Sequence, residues 1–177
     1  IKITFNSATA SSLTVNKGTA FTTSVENVTY QYLIRDAVTV TPVDGVYTLT
    51  TDIREGTLVT NKYTVDTTDA NQRFLIENTL ADTTTLNVTV QTSSTDSTTT
   101  TYTKASDLGA VTATSKVYYL EQAENGKYQV IFGDGVLGAA LSNGNIVSLE
   151  YIVSTGPASN GATTFTAAGT VGGESNI

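Results

Sequence analysis

The sequence contains no cysteine, histidine, methionine or tryptophan, and it has only two prolines among 177 residues. Without cysteine the chain cannot form disulfides, thiolate nucleophiles, zinc–thiolate sites or iron–sulfur clusters. Without histidine it lacks the base of Ser-His-Asp and Cys-His catalytic arrangements and the usual proton carrier near neutral pH. The remaining chemistry is catalysis by carboxylates alone, or an oxygen-ligand site for Ca²⁺ or Mg²⁺.

Positive charge is also scarce. Nine Lys and Arg residues stand against sixteen Asp and Glu, which gives a net charge of −7. The basic residues are scattered singly, so no clustered positive surface for a nucleic acid is expected. No apolar run approaches the roughly 18 residues of a membrane-spanning helix. The chain begins at Ile1 without a signal-peptide pattern and has no methionine, and we expect it to be a segment of a longer protein.

The residues that are abundant favour β-strands. Threonine makes up roughly a fifth of the chain, far above ordinary usage. Apolar and polar residues alternate with a period of two in several stretches, among them 28–34, 59–65, 84–90 and 147–153. Sustained helical periodicity is missing. The sequence therefore predicts an all-β fold of antiparallel, sandwich-like or barrel-like modules with many short strands and minimal helix.

Turn signals separate these stretches. Asp44-Gly45 and Asn125-Gly126 each supply the positive φ values that tight hairpins need. The Ser/Thr tract 91–102 is either a long hairpin or a mobile loop, and its β-propensity favours two strands around a turn at the aspartate. Residues 106–110 are predicted to form one helical turn capped by Ser106.

Domain organisation is predicted from the same signals. We expect one β module over 1–70 and a second over 71–165, which carries two prominent glycine turns. The Gly-rich tail 166–177 is typical of a linker toward a further domain. Whether the two modules fold separately stays open at this stage.

The stretch from Tyr128 to Tyr151 contains a G-x-G-x-x-G pattern, formed by Gly133, Gly135 and Gly138. A dinucleotide site would require the last glycine to open a helix inside a βαβ unit of about 30 residues. Only four residues separate Gly138 from Asn143-Gly144-Asn145, which is itself a turn signal, and a strand pattern follows. No crossover helix fits in this length. We therefore interpret the glycines, without a cofactor, as turn residues.

This interpretation predicts the local geometry. Gly133 and Gly135 flank Asp134 at the end of a strand, so a tight turn with positive φ is expected there. The Asp134 carboxylate should accept hydrogen bonds from nearby backbone N–H groups. Phe132 and Val136 are expected to pack on either side of the turn. The predicted structural turn residues of this region are Gly133, Asp134, Gly135, Gly138, Asn143 and Gly144.

Other candidate sites are weak. One carboxylate, Asp134, falls short of the six to eight oxygens that Ca²⁺ takes, and Asp66 and Asp69 do not form a recognisable metal loop. Glu121, Glu124 and Glu150 are expected to be solvated strand carboxylates rather than a catalytic pair. The Asn27-Val28-Thr29 and Asn87-Val88-Thr89 patterns match N-glycosylation acceptors, but both are predicted to lie within strands. No catalytic, cofactor or metal residue is therefore predicted, and the chain is not expected to be an enzyme.

The residues from Ser115 to Ala162 resemble a known family. The elements V-Y-Y-L at 117–120, F-G-D-G-V at 132–136, N-G-N-I-V at 143–147 and an S-x-G-x-x-x-N-G end at 154–161 are similar to the large baseplate wedge protein of T-even-type myophages. The stretches 17–34 and 82–90 also resemble that family, which is distantly related to baseplate-J proteins. Ala139 and Ala140 depart from the pattern, because related sequences tend to carry lysine there.

This resemblance implies a structural role in a contractile phage tail. Such wedge proteins form homodimers, join other baseplate wedge proteins, and close into a ring around the tail hub. The implied location is the virion tail baseplate, assembled in the host cytoplasm, with neither nucleic acid nor membrane as a partner. The alternative left open is a Thr-rich extracellular adhesin or receptor-binding β domain, since such domains share this composition.

Overall fold

The computed structural model describes residues 2–6 and 11–174. These residues form short strands joined by turns and three single-turn 3₁₀ helices. The strands are β1 (Lys2–Asn6), β2 (Leu13–Val15), β3 (Ala20–Val25), β4 (Val28–Ile34), β5 (Val38–Val40), β6 (Val46–Thr50), β7 (Ile53–Glu55), β8 (Thr57–Thr64), β9 (Phe74–Ile76), β10 (Ala81–Gln91), β11 (Thr99–Lys104), β12 (Val117–Gln122), β13 (Tyr128–Phe132), β14 (Ile146–Val153) and β15 (Thr166–Ala167). The 3₁₀ helices cover Leu108–Ala110, Glu124–Gly126 and Gly156–Ser159.

The all-β prediction is confirmed. The protein is mostly strand with antiparallel sheets, and one of the sheets is nearly closed and barrel-like. One detail differs from the antiparallel expectation, because β11 and β12 pair in parallel. Parallel neighbours need a crossover of about a dozen residues, and the segment 105–116 that joins these two strands has that length.

The contacts divide the chain into two compact units, residues 1–58 with 152–177, and residues 59–151. This division differs from the predicted modules 1–70 and 71–165. The first unit contains both ends of the chain, and the second is an insertion between them. The chain enters the second unit within β8 and leaves it within β14. Turn signals along the sequence could not predict this division, because the division depends on which strands, far apart in the sequence, pair with each other.

The first unit contains a four-stranded sheet in the order β15-β3-β4-β7 and two two-stranded ribbons, β1-β6 and β2-β5. Its core combines side chains from all three. The buried members are Ile3, Leu13, Val15, Phe21, Ile34, Tyr47, Leu49 and Val171. Burial of such side chains is the main source of stability for a unit of this size, since each stabilises by about 1.5–3 kcal/mol.

The described part of the tail, 166–174, is not a linker. Strand β15 pairs with β3, with Thr166 opposite Thr22 and Ala167 opposite Phe21. Val171 is fully buried in the core of the first unit. The glycines that suggested flexibility make a turn here, because Gly172 and Gly173 have positive φ and lie between Val171 and Glu174, which form a bridge. Residues 175–177 lie outside the described residues.

The second unit is built on the seven-stranded sheet, in the order β8-β14-β10-β11-β12-β13-β9. Its fully buried side chains lie on β9, β10, β13 and β14, and the three on β14 occupy alternate positions, as the period-two pattern at 147–153 predicts. They are Ile76, Val88, Val130, Val147, Leu149 and Tyr151.

Side chains, rather than a backbone ladder, link the two edge strands β8 and β9. The Tyr63 hydroxyl on β8 donates to the carbonyl of Leu75 on β9 at 2.7 Å. The Gln72 side chain donates to the Thr64 carbonyl at 2.7 Å and accepts from the Asp66 N–H at 2.9 Å. The Tyr63 ring also packs edge-to-face on Phe74, at 5.8 Å between centroids. We call this junction the seam.

Most predicted hairpins are present. Asn125 and Gly126 adopt φ values of 58° and 73° between β12 and β13, which pair antiparallel. Asp44 and Gly45 also have positive φ, but only Val43 and Val46 bridge beside them, since β5 and β6 go to different ribbons. The tract 91–102 forms a hairpin, with β10 and β11 paired around Asp96.

Two local predictions were wrong in one respect each, the capping residue of the turn at 106–110 and the strand position of Asn27. The helical turn predicted over 106–110 is a 3₁₀ turn that Asp107, not Ser106, caps by accepting from the Gly109 N–H. Asn27 lies not within a strand but in the exposed two-residue turn between β3 and β4, where Glu26 and Asn27 both have positive φ. Asn87 does lie on a strand, β10.

Candidate functional site

The loop that follows β13 is built on a close backbone approach. A Cβ atom at Gly133 would lie 2.2 Å from the carbonyl carbon of Gly138, and 2.5 Å from its Cα. Only glycine fits at this distance, because both atoms belong to the backbone and cannot swing aside. Gly135 and Gly138 have φ values of +87° and +92°, which side chains other than glycine rarely adopt. The three glycines therefore each meet a backbone requirement.

Asp134 holds the loop in shape. Its Oδ1 accepts hydrogen bonds from the N–H groups of Val136 and Leu137, each at 2.9 Å. These two bonds lower the pKa of Asp134 below its usual value, and the bond from the Leu137 N–H is the larger cause. The carboxylate is therefore ionised at neutral pH and acts as an acceptor inside its own turn.

The backbone donors from 135 to 139 are all engaged within the protein. The Gly135 N–H donates to the Gly138 carbonyl at 2.9 Å. The N–H groups of Gly138 and Ala139 donate to the carbonyls of Thr112 and Ser115. With the two bonds to Asp134, five successive N–H groups from 135 to 139 have acceptors. A phosphate cradle requires such groups to point free into a cleft at a helix N-terminus, whereas the residues between Gly138 and β14 form no helix.

Asn143 and Gly144 form a turn, with Gly144 at φ +80° and the Asn145 N–H donating to the Ser142 carbonyl. This turn does not join two paired strands. It ties three segments together instead. The Asn145 side chain donates to the Thr92 carbonyl at 2.8 Å, and at the end of β8 the Val65 N–H donates to the Asn145 carbonyl while the Gly144 N–H donates to the Val65 carbonyl. Asn143 also accepts from the N–H of Thr67 at 3.1 Å.

The other carboxylates considered in the sequence are dispersed. Glu121 is exposed and accepts from Gln129 at 3.4 Å, and Glu124 lies in the 3₁₀ turn between β12 and β13. Asp66 accepts from the N–H and hydroxyl of Thr68. Across the described ranges, no group of three or more acidic side chains is placed to hold a metal ion.

Two cavities flank the end of β13. The larger, about 620 Å³, is lined by the segment 65–74, by residues 129–133 and by Leu141. In it, Arg73 Nε donates to the Gln129 side chain at 2.9 Å. The smaller, about 380 Å³, is mainly apolar; its lining residues are Leu108, Tyr119, Ile131, Phe132, Gly133, Asp134 and Leu137. We call this smaller cavity the loop groove.

The loop exposes its apolar side chains. Val136 is 72% exposed and Leu137 49%, so Val136 does not pack against the turn as predicted. Leu108, across the groove, is 62% exposed. Two of these exposed aliphatic side chains, Leu108 and Leu137, line the same apolar cavity.

The contact partners of several side chains could not be predicted from the sequence. The alternation at 59–65 correctly puts Tyr63 on the same strand face as Val65, but nothing in the sequence names Leu75 or Glu77 as its neighbours. Burial, with the nearby Glu77 carboxylate as the second cause, raises the pKa of Tyr63 to about 12. In the first unit, Glu55 accepts from the Ser154 and Thr155 hydroxyls at 2.7 and 2.8 Å. Both partners lie about a hundred positions away.

No protein-family model matches the chain. A search of curated proteins likewise gave no match. Among the described residues, no helix is both long and apolar enough to cross a bilayer.

Proposed function

We propose that this chain is a structural β module of a contractile phage tail baseplate wedge, which contributes to wedge dimerisation and to ring assembly around the tail hub. The observation that carries this proposal is the run of family-like motifs from Val117 to Gly161. In this proposal the protein is not an enzyme and requires no cofactor. Its partners are other baseplate wedge proteins and a second copy of itself, and its place is the virion tail.

The geometry of the motif residues supports a mechanical role. F-G-D-G-V forms a loop in which the backbone donors from 135 to 139 are internally bonded. N-G-N-I-V forms the turn that ties β8 and the β10-β11 hairpin to the start of β14. Residues that recur in a family for these reasons serve backbone geometry and strand connection. A protein that transmits load between neighbours needs such fixed connections.

The surface supports binding to proteins rather than to nucleic acid. The net charge is −7, and clustered basic side chains are needed to neutralise phosphates. The loop groove has exposed aliphatic side chains at its edge, and exposed apolar patches of this kind are typical of protein–protein interfaces.

Immunogold electron microscopy tests this proposal. Antibodies raised against the purified chain should label the baseplate end of contractile-tailed particles that carry its gene, with pre-immune serum as the control. Labelling of a bacterial cell surface, with none on the particles, would refute the baseplate role and support the adhesin alternative.

A further inference from the structure

The loop groove is an apolar cavity held open by a rigid frame. On one side, Asp107 fixes the turn that carries Leu108 by accepting from the Gly109 N–H at 2.9 Å. On the other, Asp134 fixes the backbone of Val136 and Leu137. The Tyr119 hydroxyl contacts the Leu137 carbonyl at 3.4 Å. Because the exposed side chains stand on fixed backbone, a partner that covers them pays little to order them.

The floor of the groove is a strand with one side uncovered. Strand β13 pairs with β12 over Tyr128–Phe132, but with β9 only over Tyr128–Val130. The last two residues of β13, Ile131 and Phe132, therefore have a neighbouring strand on one side only. The chain before β9 instead forms a turn, with the Gln72 N–H bonded to the Asp69 carbonyl.

The register shows which backbone groups face the uncovered side. The Ala123 N–H donates to the Lys127 carbonyl, so odd-numbered residues of β13 bond toward β12 and even-numbered residues face β9. Phe132 therefore directs its N–H and carbonyl to the uncovered side. A strand that bonds there would be separated from Tyr119 by Ile131, because Tyr119 is the partner of Ile131 on β12, so the groove receives a side chain that enters over Ile131 rather than a strand added to β13.

Charge selects among possible occupants. Asp134 lies in the groove lining, and Asp107 stands at the turn that carries Leu108. A second copy of this chain would bring a further charge of −7, which opposes association through an acidic rim. A segment with positive charge next to its apolar residue complements both features of the site.

We propose that the loop groove binds an extended segment of a partner protein in which an aliphatic residue is flanked by lysine or arginine. The aliphatic side chain lies between Leu108, Tyr119 and Leu137, over Ile131, and the basic side chains face Asp107 and Asp134. This inference rests on the proposed structural role and adds the chemistry of the partner.

Fluorescence anisotropy with short labelled peptides tests it on the whole chain. The probe is fluorescein-Lys-Thr-Leu-Thr-Lys-amide, whose lysines share a strand face with the leucine. Two matched peptides replace both lysines by glutamate, or the leucine by serine. We expect saturable binding of the first peptide, at least about tenfold tighter than of either control.

Protein variants locate the site. Leu137→Ser and Leu108→Ser should each weaken binding several-fold, whereas Leu80→Ser, at an aliphatic residue 63% exposed elsewhere in the same unit, should not. Asp134→Asn keeps an oxygen for the loop N–H groups but removes the charge, so it should weaken binding and reduce its dependence on salt.

Absence of binding, equal binding of all three peptides, or an equal loss in Leu80→Ser would overturn the proposal. Concentration-dependent dimerisation that Leu137→Ser abolishes would overturn it in favour of a second copy as the occupant. Peptide binding without baseplate labelling would refute the phage role alone, and baseplate labelling without peptide binding would refute the groove alone.

Discussion

At position 133 two parts of one loop come so close that a single methyl group has no room. The neighbouring glycines face a different constraint, because Gly135 has space around it but a φ of +87°. In this turn, steric exclusion therefore acts at Gly133 and backbone strain acts at Gly135. The sequence shows only three glycines in a G-x-G-x-x-G pattern. The structure shows why each of them is glycine, because it shows the backbone that faces Gly133 and the φ values of the other two.

Alanine substitutions should distinguish these two causes. Gly133→Ala should lower the free energy of unfolding by about 3 kcal/mol, because the added Cβ overlaps backbone that cannot yield. Gly135→Ala should cost about 1 kcal/mol, from the left-handed conformation alone. Gly169→Ala, with no atom within 4 Å of its added Cβ and no positive φ, is the control. Urea unfolding measures all three, and equal losses at 133 and 169 would contradict the close approach.

Asp134 should make stability depend on pH. Its pKa is lowered in the folded state by the Leu137 and Val136 N–H groups, so its contribution is present above the unfolded value of about 3.9 and is lost as the pH falls through the folded pKa. Asp134→Asn should therefore be less stable than the natural chain at pH 7, and the difference should shrink toward pH 3. Denaturation midpoints across this range measure it. A difference that is constant with pH would contradict the ionised acceptor.

At the scale of strands, the sequence was informative wherever the signal was local. The alternation at 59–65 matches the burial of β8, and Asn125-Gly126 forms the turn between β12 and β13. The turn at Glu26-Asn27 was missed because neither residue is glycine, although both adopt positive φ. Residue preference is a weak guide where strand pairing imposes the turn.

Pairing between distant strands could not be predicted. The parallel contact of β11 with β12 and the seam between β8 and β9 depend on tertiary arrangement, and single residues such as Tyr63 and Gln72 make the seam. The candidate site shows the same division. Its turn residues follow from glycine and aspartate chemistry, whereas the groove requires Leu108 and Tyr119 to arrive from other segments.

Removing one hydroxyl should weaken the seam. Tyr63→Phe loses the bond to the Leu75 carbonyl and should lower the free energy of unfolding by about 1 kcal/mol at neutral pH. The pKa of Tyr63 is raised to about 12, so the folded state favours the neutral phenol, and this contribution is lost as the pH rises from about 10 through 12. The variant should therefore lose less stability than the natural chain over that range. An equal loss of stability in the two chains over this pH range would contradict the raised pKa of Tyr63.

At the scale of the whole molecule, the chain forms one unit from its two ends and inserts another between them. The tail matters in this arrangement because β15 and Val171 complete the sheet and core of the first unit. A linker would contribute nothing to either. The Gly-rich composition of the tail is compatible with both roles, and buried contacts decide between them.

Truncation tests the role of the tail. A chain ending at Phe165 should lose hydrogen-exchange protection in β3, since it loses the pairing of β15 with Phe21 and Thr22 and removes Val171 from the core that contains Phe21. A chain ending at Glu174 is the control and should retain it. Unchanged protection of Ala20–Val25 in the shorter chain would show that the tail acts only as a linker.

The central claim, that this is a structural module of a baseplate wedge, is tested most directly by electron cryo-microscopy of an intact contractile-tailed particle that carries the gene. The account predicts that both units fit density in the baseplate ring, with the loop groove covered by an extended segment of a neighbouring protein. A well-resolved baseplate with no density for either unit would contradict it.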